Sequence, residues 1–337
     1  MNILILGVNG FIGSHLVDTI LAETNWHIYG IDLSDDKIKQ HLNHERLHFT
    51  IGDIIKDTAW VNEHIKQCDV VLPLVAIATP ALYVQDPLRV FELDFEANIT
   101  IIRECVKEKK RIIFPSTSEV YGMSEDTPFD EETSALVTGP IHKERWIYST
   151  SKQLLDRVIY AYGKHHDLAY TLFRPFNWYG PRQDNIFNPK PGGSRVLSQF
   201  IGNILRGESI NLVNGGAQKR CFTYISDGIA ALMHIIKNEN NAAHQQIFNI
   251  GNPHENASIR TLAETLVTLI KTDHPTYREK AEAVSLIDID AASYYGEGYQ
   301  DVELRVPAIH RATEKLSWQP SVSLNDGLKQ TLDYYLK

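Results

Sequence analysis

Short apolar runs alternate with longer stretches of helical spacing through the first half of the chain. Ile3–Leu6, His27–Ile31, Leu47–Ile51, Val70–Leu74, Arg111–Phe114 and Thr171–Phe173 have the length and apolar character of strands. Ile12–Leu21, Val90–Lys107 and Ser151–His165 instead have the length and patterning of helices. Strands that alternate with helices predict an α/β fold, a doubly wound parallel sheet with helices on both faces. After Arg174-Pro175 the pattern breaks into loops rich in Pro, Gly and Asn, among them Gly180-Pro181, Asn188–Gly193 and Asn214-Gly215-Gly216. Residues 1–176 are expected to form a first domain and residues 177–337 a smaller α/β lobe. Within the latter, the segment 222–250, with helical Ser226–Ile236, is expected to pack back on the first domain.

Composition narrows the class. The 337 residues, 43% hydrophobic and 22% charged, are ordinary for a globular protein. A formal charge of −9 argues against a general nucleic-acid binder, which needs clustered Lys and Arg. Cys68, Cys105 and Cys221 lie far apart without a CxxC pair, which fits a reducing compartment, so a cytoplasmic location is expected. The apolar run from Val70 to Val84 is too short to span a bilayer and contains Pro73 and Pro80; no membrane association is expected. The chain enters a strand at once, so no export signal is expected. None of the fourteen histidines sits in a zinc-protease pattern or beside paired cysteines, so no metal site is expected. His41, His44 and the pair His165-His166 read as solvated.

Three clusters carry candidate chemistry. Gly7, Gly10 and Gly13 follow the first strand and open a helix through Phe11 and Ile12. Glycines there permit a sharp turn and let backbone amides approach a pyrophosphate, as in Rossmann dinucleotide-binding folds. Asp32, ending the second strand, is placed to accept from an adenosine ribose and would repel a 2′-phosphate, which favours NAD over NADP. Asp53 and Ile54 follow the third strand and are placed to meet the adenine, although a turn role for Asp53 competes. Tyr148 and Lys152 are one helical turn apart, so the ammonium is expected to hold the phenol below its usual pKa of about 10, as a general base requires. Thr117, Ser118 and Glu119, within Pro115–Gly122, lie at the carboxyl end of a strand, where open α/β sheets bind ligands.

Together these residues resemble the extended short-chain dehydrogenases that act on nucleotide sugars. The likeness is strongest to the UDP-glucuronate decarboxylase domain of the bifunctional polymyxin-resistance enzyme. It covers nearly the whole chain, through Leu72–Pro80, Phe91–Phe95, Pro115–Gly122, Arg145–Tyr148, Phe173–Trp178, Lys219–Phe222 and Gly298–Glu303. The resemblance implies NAD as cofactor, a UDP-sugar as substrate and a homodimer or larger homo-oligomer. It implies Tyr148 as base with Lys152 as its partner, and Thr117, Ser118, Glu119 and Arg305 around the C4 oxygen and the carboxylate. Ala78, Tyr83, Arg145, Asn177, Arg195, Tyr299 and the segment Asn211–Arg220, with Lys219 and Arg220, are implied as UDP-sugar contacts. Asn211 stands where the related domain has a lysine. The chain begins at the cofactor-binding strand, so formyl transfer, the companion activity of the bifunctional enzyme, is not expected.

The reaction so implied is oxidation at C4, which makes the ketone β to the C6 carboxylate and eases loss of carbon dioxide. Glu119, beside a second carboxylate, is expected to have a raised pKa and to carry a proton, or else to repel the departing group. Release of UDP-4-keto-pentose and its reduction to UDP-xylose both remain open. A 4,6-dehydratase or 4-epimerase shares the scaffold, although Ser118 stands where a dehydratase usually places the Asp of an Asp–Glu pair. A non-catalytic NAD-binding scaffold is the third reading.

Overall fold

The computed structural model describes all residues except 189–193, 299, 301 and 303. The first half runs β1 (Asn2–Leu6), α1 (Phe11–Glu23), β2 (His27–Asp32), β3 (Leu47–Ile51), α2 (Thr58–Gln67) and β4 (Val70–Pro73). It continues through α3 (Pro80–Gln85), α4 (Pro87–Phe91), α5 (Asn98–Lys107), β5 (Arg111–Pro115), α6 (Trp146–His166) and β6 (Tyr170–Pro175). The second half contains β7 (Trp178–Tyr179), α7 (Val196–Arg206), β8 (Ile210–Val213), β9 (Lys219–Cys221), β10 (Thr223–Tyr224), α8 (Ile225–Lys237) and β11 (Gln246–Ile250). It ends with β12 (Asn256–Ser258), α9 (Ile259–Asp273), α10 (Arg278–Ala283), β13 (Leu286–Ile289), α11 (Ala291–Tyr295), α12 (His310–Leu316) and α13 (Leu324–Leu336).

Seven parallel strands make the central sheet in the order β11-β6-β5-β4-β1-β2-β3. The direction of winding reverses between β1 and β4, so the cleft beyond their carboxyl ends is where such a sheet binds ligands. Gly7 ends β1 there with φ +87°, and a Cβ would meet Val75 at 3.0 Å. A Cβ on Gly13 would lie 2.5 Å from the Gly7 carbonyl, so a side chain would push α1 off the turn. β1 and β4 are almost wholly buried, as expected for strands covered on both faces.

Apolar clusters lie on both faces of the sheet. One combines Val61, Ile101, Ile102, Leu155 and Ile159 of α2, α5 and α6. The other begins with Leu16, Val17 and Ile20 of α1 and Leu232 and Ile235 of α8, and continues without a break to Leu262 of α9 and Leu328 of α13. That continuity ties the C-terminal region to the sheet by burial of apolar surface. The C-terminal region itself is built on three two-stranded pairs, β7 with β10, β8 with β13 and β9 with β12.

Two features depart from the sequence pattern. The chain returns to the sheet at β11, which pairs with β6 from Gln246↔Thr171 to Ile250↔Pro175 and adds a strand that the apolar runs did not show. The expected helix Val90–Lys107 is interrupted by a π-helical turn, Glu92–Ala97, between α4 and α5. Asn98 Nδ2 braces this turn by donating to the carbonyls of Leu93 and Asp94, 3.2 Å each. His165 and His166 are exposed in the last turn of α6.

Candidate active site

The carboxyl ends of β1, β4, β5 and β6 open on a cavity of about 350 Å³. Its wall brings together Phe11, Ile12, Ala78, Tyr83, Thr117, Ser118, Glu119, Arg145, Tyr148, Asn177, Arg195, Arg220 and Arg305, residues from well-separated parts of the chain. Asn177 holds a left-handed backbone, φ 41°, which asparagine adopts more readily than most residues. Lys219 is exposed on β9 and is not part of the wall. Tyr299 lies outside the described residues.

α6 presents Tyr148 and Lys152 on one face. The Tyr148 ring stacks on Tyr83, with centroids 4.7 Å apart and planes 7° from parallel, and Thr117 is its side-chain hydrogen-bond partner. Lys152 Nζ donates to the Pro115 carbonyl at 2.9 Å and lies 4.6 Å from the centroid of the Phe114 ring. The structure corrects the expected titration of the pair. Burial, then the charges of Asp94 and Glu119, push the Tyr148 phenol well above its ordinary pKa, and burial lowers that of Lys152. Helical spacing identifies the nearby lysine; it does not reveal anions contributed by other elements.

Glu119 is the second centre. Its Oε2 lies 2.5 Å from Arg145 Nη2 and its Oε1 lies 3.3 Å from Arg305 Nη1. Ser149 Oγ donates to Oε2 at 3.4 Å. Burial opposes the charge, but Arg145, Arg305 and Arg220 together hold the Glu119 pKa below its usual value; the expected rise concerns a second carboxylate that a substrate would bring. Thr117 Oγ1 accepts from the Glu119 amide at 3.2 Å and fixes the turn that carries the carboxylate. Arg145, only 1% exposed, also donates from Nη1 to the Gln300 carbonyl at 3.0 Å, while Trp146 Nε1 donates to Gln300 Oε1 at 3.0 Å. These bonds pin Gln300 against the start of α6. Ser149 and Gln300 carried no sequence signal, since each works through a neighbour rather than through a recognisable spacing.

The glycine turn and its surroundings fit a dinucleotide. No side chain caps α1 at Gly10 and its first turn holds no acidic residue, so the leading amides suit an anion such as a pyrophosphate. Asp32 accepts from the Asn9 amide at 2.8 Å through Oδ2 and from the Leu33 amide at 2.7 Å through Oδ1. Each of its oxygens keeps a second lone pair. Asp53 Oδ1 accepts from the Ile55 amide at 2.9 Å within a tight turn, and Ile54 beside it is buried. Among the described residues no group of three or more potential ligands could hold a metal ion, and no helix is long and apolar enough to cross a membrane.

The chain is 52% identical to PbgP3 from Burkholderia pseudomallei, covering 99% of this chain and 96% of that one, with a TM-score of 0.90. UDP-glucuronic acid 4-epimerase from Bacillus cereus, solved with UDP-glucuronic acid and NAD, is 25% identical over 99% of this chain and 98% of that one, with a TM-score of 0.81. UDP-glucose 4-epimerase from Thermotoga maritima, solved with UDP-glucose, shares the fold at 24% identity and a TM-score of 0.80, over 99% and 98% of the two chains. The model of the NAD dependent epimerase/dehydratase family matches residues 3–251. With its seven-stranded parallel sheet, uncapped α1 and Tyr148–Lys152 pair, the chain belongs to that family.

Proposed function

We propose that the protein oxidises UDP-glucuronate at C4 and releases its C6 carboxylate as carbon dioxide. The observation that carries this reading is the charge of the cavity wall. Among the described residues, Arg145 and Arg305 flank the carboxylate of Glu119, and Arg220 is a further cation acting on it. Guanidinium groups suit an anionic ligand, and a uronate brings a carboxylate that a neutral hexose lacks. The bound UDP-glucuronic acid of the Bacillus cereus relative supports the same substrate class.

NAD⁺ supplies the hydride acceptor for C4 and one further positive charge when bound; the α1 amides and Asp32 are the groups suited to hold it. Tyr148 Oη takes the C4 hydroxyl proton, with Thr117 as its hydrogen-bond partner. In the resulting 4-ketone the C5–C6 bond breaks, and its electrons pass to the C4 oxygen as an enolate. Tyr148 and Thr117 donate to that oxygen. Arg305 holds the carboxylate before it leaves, and a proton then returns to C5. The products are UDP-4-keto-pentose, carbon dioxide and NADH, with reduction to UDP-xylose a further step open to the same site. Because Tyr148 and Lys152 lie on α6, whose exposed Leu154 and Tyr160 leave apolar surface outside, a homodimer through this helix is part of the proposal.

The Bacillus cereus relative also favours a second reading, a uronate 4-epimerase, since its named substrate has the same charge. Mass spectrometry of the products from UDP-glucuronate and NAD⁺ separates the two. A product lighter by carbon dioxide is expected; an unchanged mass with inverted C4 would establish the epimerase.

A further inference from the structure

Lys152 is only 1% exposed, and an ammonium taken so far from water persists only with anionic partners. Asp156, one turn further along α6, is one of them, but it is shared. Ser116 Oγ donates to its Oδ2 at 2.7 Å, and Arg174 Nη2 reaches the same oxygen at 3.2 Å. Lys152 and Arg174 are thus two buried cations against one buried anion.

Asp94 supplies the second. It lies on the π-helical turn between α4 and α5 and is 0% exposed. Its Oδ1 accepts from the Ile77 amide at 2.9 Å, while its Oδ2 has no hydrogen-bond partner. The turn packs on α6, which brings the carboxylate close enough to attract the Lys152 ammonium without a direct ion pair. We propose that Asp94 is a positioning residue for Lys152: the π-helical turn delivers a buried anion that keeps the ammonium charged beside Tyr148.

Asp156 from α6 acts on Lys152, with Arg174 of β6 acting through Asp156; Tyr148 from α6 and Tyr83 from α3 feel Asp94, and both also feel Glu119 from the turn after β5. Burial raises the Asp94 pKa to about 6, against the opposing pull of Lys152 and of the Ile77 amide. Its charge is therefore present above that pH and lost below it. The inference rests on the assignment of Tyr148 and Lys152 as base and partner.

Asp94→Asn separates the charge from the structure, because the amide oxygen still accepts from Ile77 while the negative charge is gone. At neutral pH, kcat with UDP-glucuronate is expected to fall at least about tenfold, with KM changed less than about threefold. The optimum moves to lower pH, since Lys152 now keeps its proton with one partner fewer, and Asp94→Glu restores part of the rate. Wild-type kcat and pH profile in Asp94→Asn would show that Asp94 only holds the loop, overturning the proposal. pH-difference infrared spectra of the NAD-loaded wild type give a readout that needs neither turnover nor that variant. A buried carboxyl band titrating near pH 6 is expected, moving to higher pH in Lys152→Met; a band indifferent to Lys152→Met overturns the coupling. Tyr148→Phe with full activity would instead defeat the base assignment and leave the infrared result to stand or fall alone.

Discussion

The protein contains two clusters of the same chemical kind, a carboxylate with arginine, in contrasting settings. Glu119 with Arg145 and Arg305 forms part of the cavity wall. Asp156 with Arg174 is sealed beneath it, in a chain that continues from Arg174 Nη1 to Tyr121 Oη at 2.9 Å and from Tyr121 Oη to Asn249 Oδ1 at 2.8 Å. Asn249 Nδ2 then donates to the carbonyls of Phe129 and Ala308. In the sealed cluster the charges are spent on one another and on the backbone of several loops. The upper cluster lines the cavity, where a ligand anion can join it. The lower cluster thus holds the frame, while the upper one is left able to discriminate.

That contrast is testable by removing one arginine from each cluster. Arg174→Met strands Asp156 in the interior and is expected to cost about 3–5 kcal/mol of stability, read by urea unfolding. Adding Asp156→Leu should recover part of the loss, since it removes the stranded carboxylate while Lys152 keeps Asp94 as its anion. Arg305→Met should do the opposite: kcat/KM for UDP-glucuronate falls roughly 100-fold, about 2.7 kcal/mol, while the melting temperature moves by less than about 3 °C. Binding of UDP-glucose, which lacks the carboxylate, should hardly change by calorimetry. An equal loss for both ligands would show that the cluster supports the wall rather than reading the sugar. Ser149→Ala sets the lower end of the scale. Its 3.4 Å contact with Glu119 is long for a hydroxyl donor, so less than about 1 kcal/mol and a rate change below about threefold are expected.

The sequence made the cofactor half easy to read, because its six strands are continuous apolar runs and its glycines sit where a strand must turn into a helix. β11 escaped because Gln246 and Asn249 interrupt its apolar character, yet the Asn249 side chain belongs to the buried polar network. The π-helical turn escaped because an amphipathic count over Val90–Lys107 is insensitive to one wider turn. Most of the cavity wall could be named from the resemblance, but its charge balance could not. Asp94 acts on Lys152 from 58 positions earlier in the chain, and Arg305 reaches Glu119 from 186 positions later, separations that no local spacing encodes.

The placement of β11 has a consequence for how the polypeptide must be completed. β6 is buried along nearly its whole length, and β11 covers its outer row of amides and carbonyls. A product ending before Gln246 would leave a bare, apolar margin open to pairing with a sister molecule, the usual beginning of aggregation. Residues far beyond the glycine turn thus act as the sheet's protective border, and a nascent chain is exposed to that hazard until they emerge.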